Sequence, residues 1–223
     1  MDFRVIDIKQ QVYEGVADDA QTLRKQLYSA DTFMLNLMSS PGAGKTSTLV
    51  KTIDALKRKF RIGVMEADID SDLDARIISN TGVGVVQLHT GGKCHLNANM
   101  THRGLIALGA NKLDLVMLEN VGNLICPAEF DTGATRNAMI LSVPEGDDKP
   151  LKYPLMFAIC DVLLINKIDA MQCFDFDIGQ CTKRAKKLNP NIKVIPVSAK
   201  TGEGMDEWIK WLRCEIRRFR SKK

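Results

Sequence analysis

An apolar run followed by a glycine-rich turn, FMLNLMSSPGAGKTS at residues 33–47, decides how this sequence folds. The run predicts a buried strand and the residues after the turn have helical spacing, so the turn stands where a P-loop stands. Gly42 and Gly44 allow backbone N–H groups to close around phosphate oxygens. Lys45 can then reach the β and γ phosphates, and Thr46 can hold Mg²⁺. One position departs from the usual pattern, because Ser39 stands where that pattern has its first glycine. The predicted phosphate-binding residues are Ser40, Pro41, Gly42, Ala43, Gly44, Lys45, Thr46 and Ser47.

Two short motifs far downstream indicate which base the site takes. NKID, residues 166–169, ends the apolar run DVLLI, and SAK, residues 198–200, follows the run KVIPV. An aspartate at position 169 can accept hydrogen bonds from N1–H and from the 2-amino group of guanine, whereas adenine offers neither donor. Alone, NKID also fits an ordinary strand end, and SAK carries little weight. The ordered set predicts a guanine-nucleotide site with Asn166, Lys167, Asp169, Ser198, Ala199 and Lys200.

The segment LENVGN, residues 118–123, adds a carboxylate and a glycine. It is an E-x-x-G version of the D-x-x-G element, whose carboxylate contacts Mg²⁺ through water and whose glycine senses the γ-phosphate; an ordinary strand end is the alternative. No glutamine follows the glycine to orient water, and no arginine finger is evident in the motifs, so we expect slow GTP hydrolysis. The expected Mg²⁺ ligands are Thr46, Asp68, Asp74 and Glu119. The expected catalytic residues are Lys45, Thr46, Glu119 and Gly122.

Beyond the motifs, short apolar runs alternate with segments of helical spacing. The runs are FMLNLM, RIGVMEA, LDLVMLE, NAMILSV, DVLLINK and KVIPVSA. Such alternation predicts an α/β fold of the P-loop NTPase kind, a mostly parallel sheet of about seven strands flanked by helices. Near the start of the chain, four apolar residues recur at helical spacing: Val12, Val16, Leu23 and Leu27. We therefore expect residues 1–30 to form an N-terminal amphipathic helical segment and residues 31–223 to form one GTPase domain.

The composition excludes several classes of function. The chain has 223 residues and a formal net charge of +4, and its basic excess gathers in the final stretch RCEIRRFRSKK. Basic stripes along several helices are missing, so we expect no nucleic-acid partner. No apolar run approaches the roughly 20 residues needed to cross a bilayer, and MDFRVIDIKQ lacks a secretory pattern, so we expect a cytoplasmic protein without membrane association. Its six cysteines are then expected to be reduced, as core residues or as parts of a metal or redox site.

The motifs taken together resemble one family. SSPGAGKT, GGKCHLNA, ENVGNLICPAEFD, EGDDKPLKYP and NKID resemble the HypB family of hydrogenase nickel-incorporation GTPases, over residues 31–204. CHL and ENVGNLICP are the specific parts, because related GTPases share the rest. The resemblance implies a SIMIBI-class GTPase that delivers nickel during maturation of NiFe hydrogenase, with GTP or GDP, Mg²⁺ and Ni²⁺ or Zn²⁺. It also implies three partners: a second copy in a GTP-dependent homodimer, a HypA-type nickel accessory protein and the hydrogenase large-subunit precursor.

The same resemblance assigns a metal site to Cys94, His95 and Cys126. Thiolate and imidazole ligands suit Ni²⁺ and Zn²⁺. Adjacent residues on a helix diverge, so Cys94 and His95 can bind one ion only where the chain enters a helix. Three ligands fall short of the usual four of a closed zinc site, and a two-fold dimer would supply more. Alone, either cysteine is more often a buried core thiol.

Two further expectations concern the nucleotide: its link to the metal site and a lysine that approaches it. Cys126 follows Gly122 by four residues, so the change from GTP to GDP should alter the metal site. Residues 143–154, VPEGDDKPLKYP, are the clearest loop, and a lysine of this loop, Lys149 or Lys152, can approach nucleotide across a dimer.

Two alternatives remain open. The first is a related maturation GTPase for urease or a cobalamin-dependent enzyme. The second is a regulatory GTPase with a structural zinc, in which the metal stays bound through the nucleotide cycle. Residues 1–30 contain neither cysteine nor histidine, so tight nickel binding at the N-terminus is not expected.

Overall fold

A parallel β-sheet lies at the centre of the protein. The computed structural model describes residues 3–7, 16–68 and 71–221, and eight strands are found within them. They are β1 (Arg4–Asp7), β2 (Phe33–Ser39), β3 (Ile62–Asp68), β4 (Gly84–His89), β5 (Leu115–Glu119), β6 (Arg136–Ser142), β7 (Val162–Asn166) and β8 (Lys193–Pro196). Their order across the sheet is β1-β4-β3-β5-β2-β6-β7-β8, and each neighbouring pair is parallel. The predicted α/β class and parallel sheet are confirmed.

Helices cover both faces of this sheet. Within the described residues they are α1 (Val16–Ser29), α2 (Lys45–Leu56), α3 (Leu73–Ser79), α4 (Ala98–Leu108), α5 (Cys126–Glu129), α6 (Lys149–Lys152), α7 (Pro154–Ile159), α8 (Ile178–Leu188) and α9 (Met205–Arg220). Every residue of β2 is buried. Phe33, Leu35 and Leu37 pack with α2, α3 and α9, whereas Met34 packs with α1 and α4 and Met38 with α7 and α8. No helix in this part of the chain is long and apolar enough to cross a membrane.

All six strands expected from the apolar runs are present, and two strands were missed. β4 contains Gly84 and the polar but fully buried Gln87, so its sequence does not read as an apolar run. β1 has four residues and pairs only with β4, at the edge of the sheet. Short strands of this kind give a weak sequence signal.

The N-terminal segment contains a strand as well as a helix. The predicted helix is present as α1, and its Leu23 and Leu27 pack in the same apolar cluster as Leu105 of α4. The helix begins at Val16; Val12 lies outside the described residues. Because β1 pairs with β4, part of this segment extends the sheet.

The predicted loop at 143–154 has regular structure. A 3-10 turn at Val143–Glu145 is followed by α6 and by the start of α7. Its prolines lie at the first positions of these turns, where the missing N–H group is not needed. The prolines that indicate a loop in the sequence begin helical turns in the structure.

Candidate nucleotide and metal site

The P-loop connects β2 to α2 at the carboxyl edge of the sheet. Gly42 and Gly44 have φ values of 74° and 99°, in the left-handed region where side chains are strained. A Cβ atom at Gly44 would in addition collide with the side-chain amide of Asn166. Lys45 donates a hydrogen bond from Nζ to Ser39 Oγ at 3.2 Å. The serine that replaces the first glycine thus holds the P-loop lysine.

A cleft of about 1080 Å³ lies over this loop, somewhat larger than a typical small-molecule site. Most predicted nucleotide and magnesium residues line it: Pro41, Gly42, Gly44, Lys45, Thr46, Ser47, Asp68, Asp74, Glu119, Gly122, Asn166, Lys167, Asp169, Ala199 and Lys200. Five more lining residues were not expected from the sequence: Val50, Lys51, Ile77, Val121 and Ala170. Helical spacing after Ser47 is the signal that points to Val50 and Lys51, because positions three and four apart share a helix face.

The other predicted residues of the site support it from behind. Ala43 accepts a hydrogen bond through its carbonyl oxygen from Asn166 Nδ2 at 2.9 Å. Ser40 Oγ donates to Glu145 Oε1, and Glu145 Oε2 accepts from Ser142 N at 2.7 Å. Glu145 was missed by sequence reasoning, although the pair Ser142 and Glu145 has the spacing of a capping box.

The NKID segment lines the cleft beside the P-loop. Asn166 also accepts a hydrogen bond through Oδ1 from Ala199 N at 3.1 Å, so one side chain joins the P-loop to the SAK loop. Lys167 has a φ of 64° and donates from Nζ to Gly42 O at 2.7 Å, which stretches its alkyl stem along the cleft. Ser198 Oγ donates to Asp169 Oδ1 at 2.6 Å. This hydrogen bond orients the Asp169 carboxyl group, which lines the cleft.

Carboxyl groups gather at the phosphate end. Thr46 Oγ1 donates to Glu119 Oε1 at 2.8 Å, and Asp68 and Asp74 line the same cleft. Glu119 is almost fully buried, and in the described part of the chain its Oε2 has no hydrogen-bond partner. Burial raises the pKa of Glu119 to about 7, while the charge of Lys45 opposes the shift. An oxygen-rich, partly unsatisfied set of this kind suits a hard divalent cation.

A second buried carboxyl group, on Glu66, lies beside the first. Glu66 of β3 is the register partner of Glu119 in β5. Burial, followed by the charge of Glu119, raises the pKa of Glu66 to about 9. Sequence reasoning read this stretch, RIGVMEA, as an apolar strand and overlooked the group.

Two of the three predicted metal ligands meet in the structure. Cys94 lies in the loop between β4 and α4, Cys126 begins α5, and their Sγ atoms are 2.6 Å apart. Asn123 holds the second thiol in position, because its Oδ1 accepts from Ile125 N at 2.7 Å and from Cys126 N at 3.3 Å. The hydrogen bond with Cys94 raises the pKa of the Cys126 thiol. A bound cation would offset the repulsion between two thiolates at this distance.

His95 lies next to the pair, in the loop that leads into α4. Its ring stacks on Phe130, with centroids 3.6 Å apart. Burial, followed by the charge of Lys93, lowers the pKa of His95, which favours the neutral imidazole that binds metals. Within residues 3–7, 16–68 and 71–221 no three His, Cys, Asp or Glu side chains form a group that could hold a metal ion. The described part of one chain therefore provides a thiol pair and not a complete metal site.

One short segment connects the phosphate site with the thiol pair. It begins at Glu119, the last residue of β5, and reaches Cys126 at the start of α5. Gly122 lies within it and packs against the P-loop, since a Cβ atom there would stand 3.2 Å from the nitrogen of Pro41. Gly122 is four residues from Cys126, so any displacement of Gly122 away from Pro41 would pull on the backbone that leads to Cys126.

Comparison with known proteins identifies the family. The family model described as CobW/HypB/UreG, nucleotide-binding domain, matches residues 33–196. The hydrogenase maturation factor HypB of Azotobacter chroococcum mcd 1 is 46% identical over 209 residues, which cover 94% of this chain and 68% of that protein. The crystal structure of HypB from Archaeoglobus fulgidus matches with a TM-score of 0.84 and 35% identity, over 90% of this chain and 98% of that one. HypB from Helicobacter pylori, crystallised in complex with nickel, matches with a TM-score of 0.85 and 36% identity, over 91% of this chain and 95% of that one. These matches show that the chain belongs to the CobW/HypB/UreG nucleotide-binding family and, within it, to the hydrogenase maturation factors of the HypB type.

Proposed function

We propose that this protein is a GTP-hydrolysing metallochaperone that delivers nickel during maturation of NiFe hydrogenase, with its nucleotide state coupled to metal binding and dimerisation. The observation that carries the proposal is the segment from Glu119 to Cys126, which joins the phosphate end of the cleft to the pair Cys94 and Cys126. GTPase chemistry is the family's. The HypB relatives support hydrogenase maturation as the process, and the one crystallised with nickel supports nickel as the metal.

Hydrolysis requires water to attack the γ-phosphorus of GTP. The bond from this phosphorus to the β–γ bridging oxygen breaks, and GDP and phosphate leave. Lys45 would stabilise the charge on the transferring group, and the backbone N–H of Gly122 would contact the γ-phosphate. Asn123 and not a glutamine follows Gly122, so we expect slow turnover.

The residues of the phosphate end fit a magnesium ion. Glu119 has a buried oxygen atom without a hydrogen-bond partner in the described part of the chain, and Thr46 lies within hydrogen-bond distance of its other oxygen. With Asp68 and Asp74 they provide only oxygen donors, as Mg²⁺ requires. Mg²⁺ held there would neutralise charge on the β and γ phosphates.

Guanine recognition rests on Asp169. Its Oδ1 accepts the hydrogen bond from Ser198, which holds the carboxyl group in one orientation. Guanine would donate N1–H and its 2-amino group to this carboxylate, while Asn166 braces the loop and Lys167 covers one face of the ring. Adenine leaves the carboxylate unpaired and is rejected.

The metal is the cargo. Cys94, Cys126 and His95 present soft and borderline ligands, which suit Ni²⁺ or Zn²⁺. Because the described residues of one chain contain no complete site, a two-fold dimer that brings two thiol pairs together supplies the remaining ligands. The GTP-bound form, with Gly122 held at the γ-phosphate, is the state expected to dimerise.

Delivery needs a donor and an acceptor. We propose a HypA-type nickel accessory protein and the precursor of the NiFe hydrogenase large subunit for these roles, in the cytoplasm. The regulatory GTPase with a structural zinc differs in one respect: its metal affinity does not follow the nucleotide.

Nickel titrations of the GDP form and of a form with a non-hydrolysable GTP analogue test the proposal. We expect the two dissociation constants to differ by about tenfold, a common size for coupling between sites. Cys94→Ala and Cys126→Ala should each remove most of the affinity, because each deletes a charged ligand, and both variants should still bind GTP.

Two other cysteines provide controls. Cys160 is buried in the core and Cys214 is exposed on α9, and alanine at either position should leave nickel binding unchanged. Equal affinities in both nucleotide states would favour the structural-zinc alternative. Normal nickel binding by Cys94→Ala would show that the metal site is wrongly assigned.

A further inference from the structure

Three buried or half-buried asparagine side chains form a row across the central strands. Asn36 in β2 is the register partner of Asn137 in β6, and on the other side it pairs with Leu118 in β5. Asn120 follows Leu118 by two residues, so it projects from the same face. Asn120 Nδ2 donates to Asn36 Oδ1 at 3.0 Å, and Asn36 Nδ2 donates to Asn137 Oδ1 at 3.0 Å.

Two amides of this row are buried, and apolar side chains surround the central one. Asn36 is 2% exposed and Asn120 is fully buried. The neighbours of Asn36 on the same face of β2 are Met34 and Met38, which belong to two different apolar clusters. An amide without a partner in such surroundings is costly, and each of these amides has one. Along the row, each amide nitrogen donates to the amide oxygen of the next asparagine, from Asn120 to Asn36 and from Asn36 to Asn137. Each amide therefore has one defined orientation.

The row ends at the nucleotide cleft. Asn120 Oδ1 accepts a hydrogen bond from Val121 N at 2.9 Å, and Val121 lines the cleft. The next residue is Gly122, which packs against Pro41 of the P-loop. Asn36 lies three residues before the end of β2, which leads into that same loop. The amides therefore connect the strand that carries the P-loop to the residue that precedes the γ-phosphate sensor.

From this geometry we infer that Asn36 and Asn120 are positioning residues for GTP, which hold Val121 and Gly122 at the place where the γ-phosphate binds. The inference rests on the proposed GTPase function. Only GTP has a γ-phosphate for Gly122 to contact. A displaced Gly122 should therefore weaken GTP binding and slow hydrolysis, whereas GDP binding should not change.

Two substitutions break the link at different atoms. Asn120→Asp keeps an oxygen that accepts from Val121 N and replaces the nitrogen that donates to Asn36 by a second oxygen, which can carry charge. Asn36→Ala removes the acceptor and leaves Asn120 in place. For both we expect the affinity for a non-hydrolysable GTP analogue to fall about fivefold relative to GDP, which corresponds to one net hydrogen bond. The kcat should fall by a similar factor.

The control is Asn137→Ala, at the far end of the row. Asn137 is only half-buried and its Nδ2 donates to Ile159 O at 3.4 Å, away from the cleft. This variant should lower the melting temperature but preserve the ratio of GTP to GDP affinity. A purely structural role predicts that all three variants lose stability and none changes the ratio.

Each outcome decides between these accounts. GDP affinity and thermal unfolding establish that each variant is folded, and Asn120→Asp carries the test alone if β2 does not tolerate alanine. An unchanged ratio in Asn120→Asp, or an equal change in Asn137→Ala, overturns the inference while GTP hydrolysis by the wild type still supports the proposed function. A wild type that does not bind GTP would overturn both.

Discussion

The proposed choice of base depends on a single carboxyl group, that of Asp169. It lines the cleft and is oriented by Ser198 at 2.6 Å. The wild type should prefer GTP over ATP by on the order of 10⁴, because adenine leaves this group unpaired. Asp169→Asn should shift the preference towards xanthine nucleotides, whose 2-oxo group needs a donor. Competition of GTP, ATP and XTP for binding measures the change.

A matched substitution lies nearby. Asp175 is exposed on the surface, and Asp175→Asn should leave the base preference as it is. Equal hydrolysis of ATP and GTP by the wild type would contradict the role of Asp169.

At the scale of elements, one aspartate ties three of them together. Asp114, just before β5, accepts hydrogen bonds from Arg61 N at 2.7 Å, ahead of β3, and from the guanidinium group of Arg220 at 2.8 Å, at the end of α9. The hydrogen bond from the Arg61 side chain is the largest of the causes that hold the pKa of Asp114 well below its ordinary value. These contacts of Asp114 with Arg61 and Arg220, here called the clamp, lie at the opposite edge of the sheet from the nucleotide cleft.

Asp114→Asn should lower the free energy of unfolding at pH 7 by on the order of 1 kcal/mol, because hydrogen bonds to a charged group are lost. The expected loss is no larger, because the exposure of Arg61 to solvent weakens these bonds. A depressed carboxyl pKa stabilises the fold above the unfolded value, near pH 4, and this stability is lost on acidification through the folded value. The difference between wild type and variant should therefore shrink below about pH 4. Denaturant unfolding across this range measures it, with Asp54→Asn, from the exposed pair with Lys57, as the control. A difference that is constant from pH 7 to pH 2 would contradict the clamp.

At the scale of the whole molecule, an apolar surface lies beside the thiol pair. Ile125, which precedes Cys126, is 56% exposed, and Leu155 on the neighbouring α7 is also exposed. A two-fold dimer that shares a metal between thiol pairs would bury this surface twice. The exposed Ile106, by contrast, lies near the end of α4, towards the opposite edge of the sheet.

Ile125→Glu should abolish the dimer formed with a GTP analogue, since the interface would then contain two buried like charges. Nucleotide binding by the monomer should remain. Sedimentation velocity with GDP and with the analogue measures the effect, and Ile106→Glu is the control that should dimerise normally. A dimer that persists in Ile125→Glu would exclude this surface from the interface.

The sequence alone determined the local features of this protein, because they depend on neighbouring residues. The conformation of the P-loop follows from Gly42 and Gly44, and β2 is recognised by an uninterrupted apolar run. The expected nucleotide residues line or brace one cleft because they follow parallel strands whose carboxyl ends meet at one edge, so the predicted fold class was enough to bring them together. β4 was missed because its buried Gln87 hides the apolar pattern.

Only the tertiary structure decided which distant side chains meet. Cys94 and Cys126 are 32 residues apart and touch because the segments after β4 and β5 reach the same edge of the sheet. The row from Asn120 to Asn137 depends on β2 lying between β5 and β6. Hydrophobic periodicity specifies which face of a strand is buried, but not which strand becomes its neighbour. The order of strands is set by the packing of the whole chain, and the meeting of the two thiols is set with it.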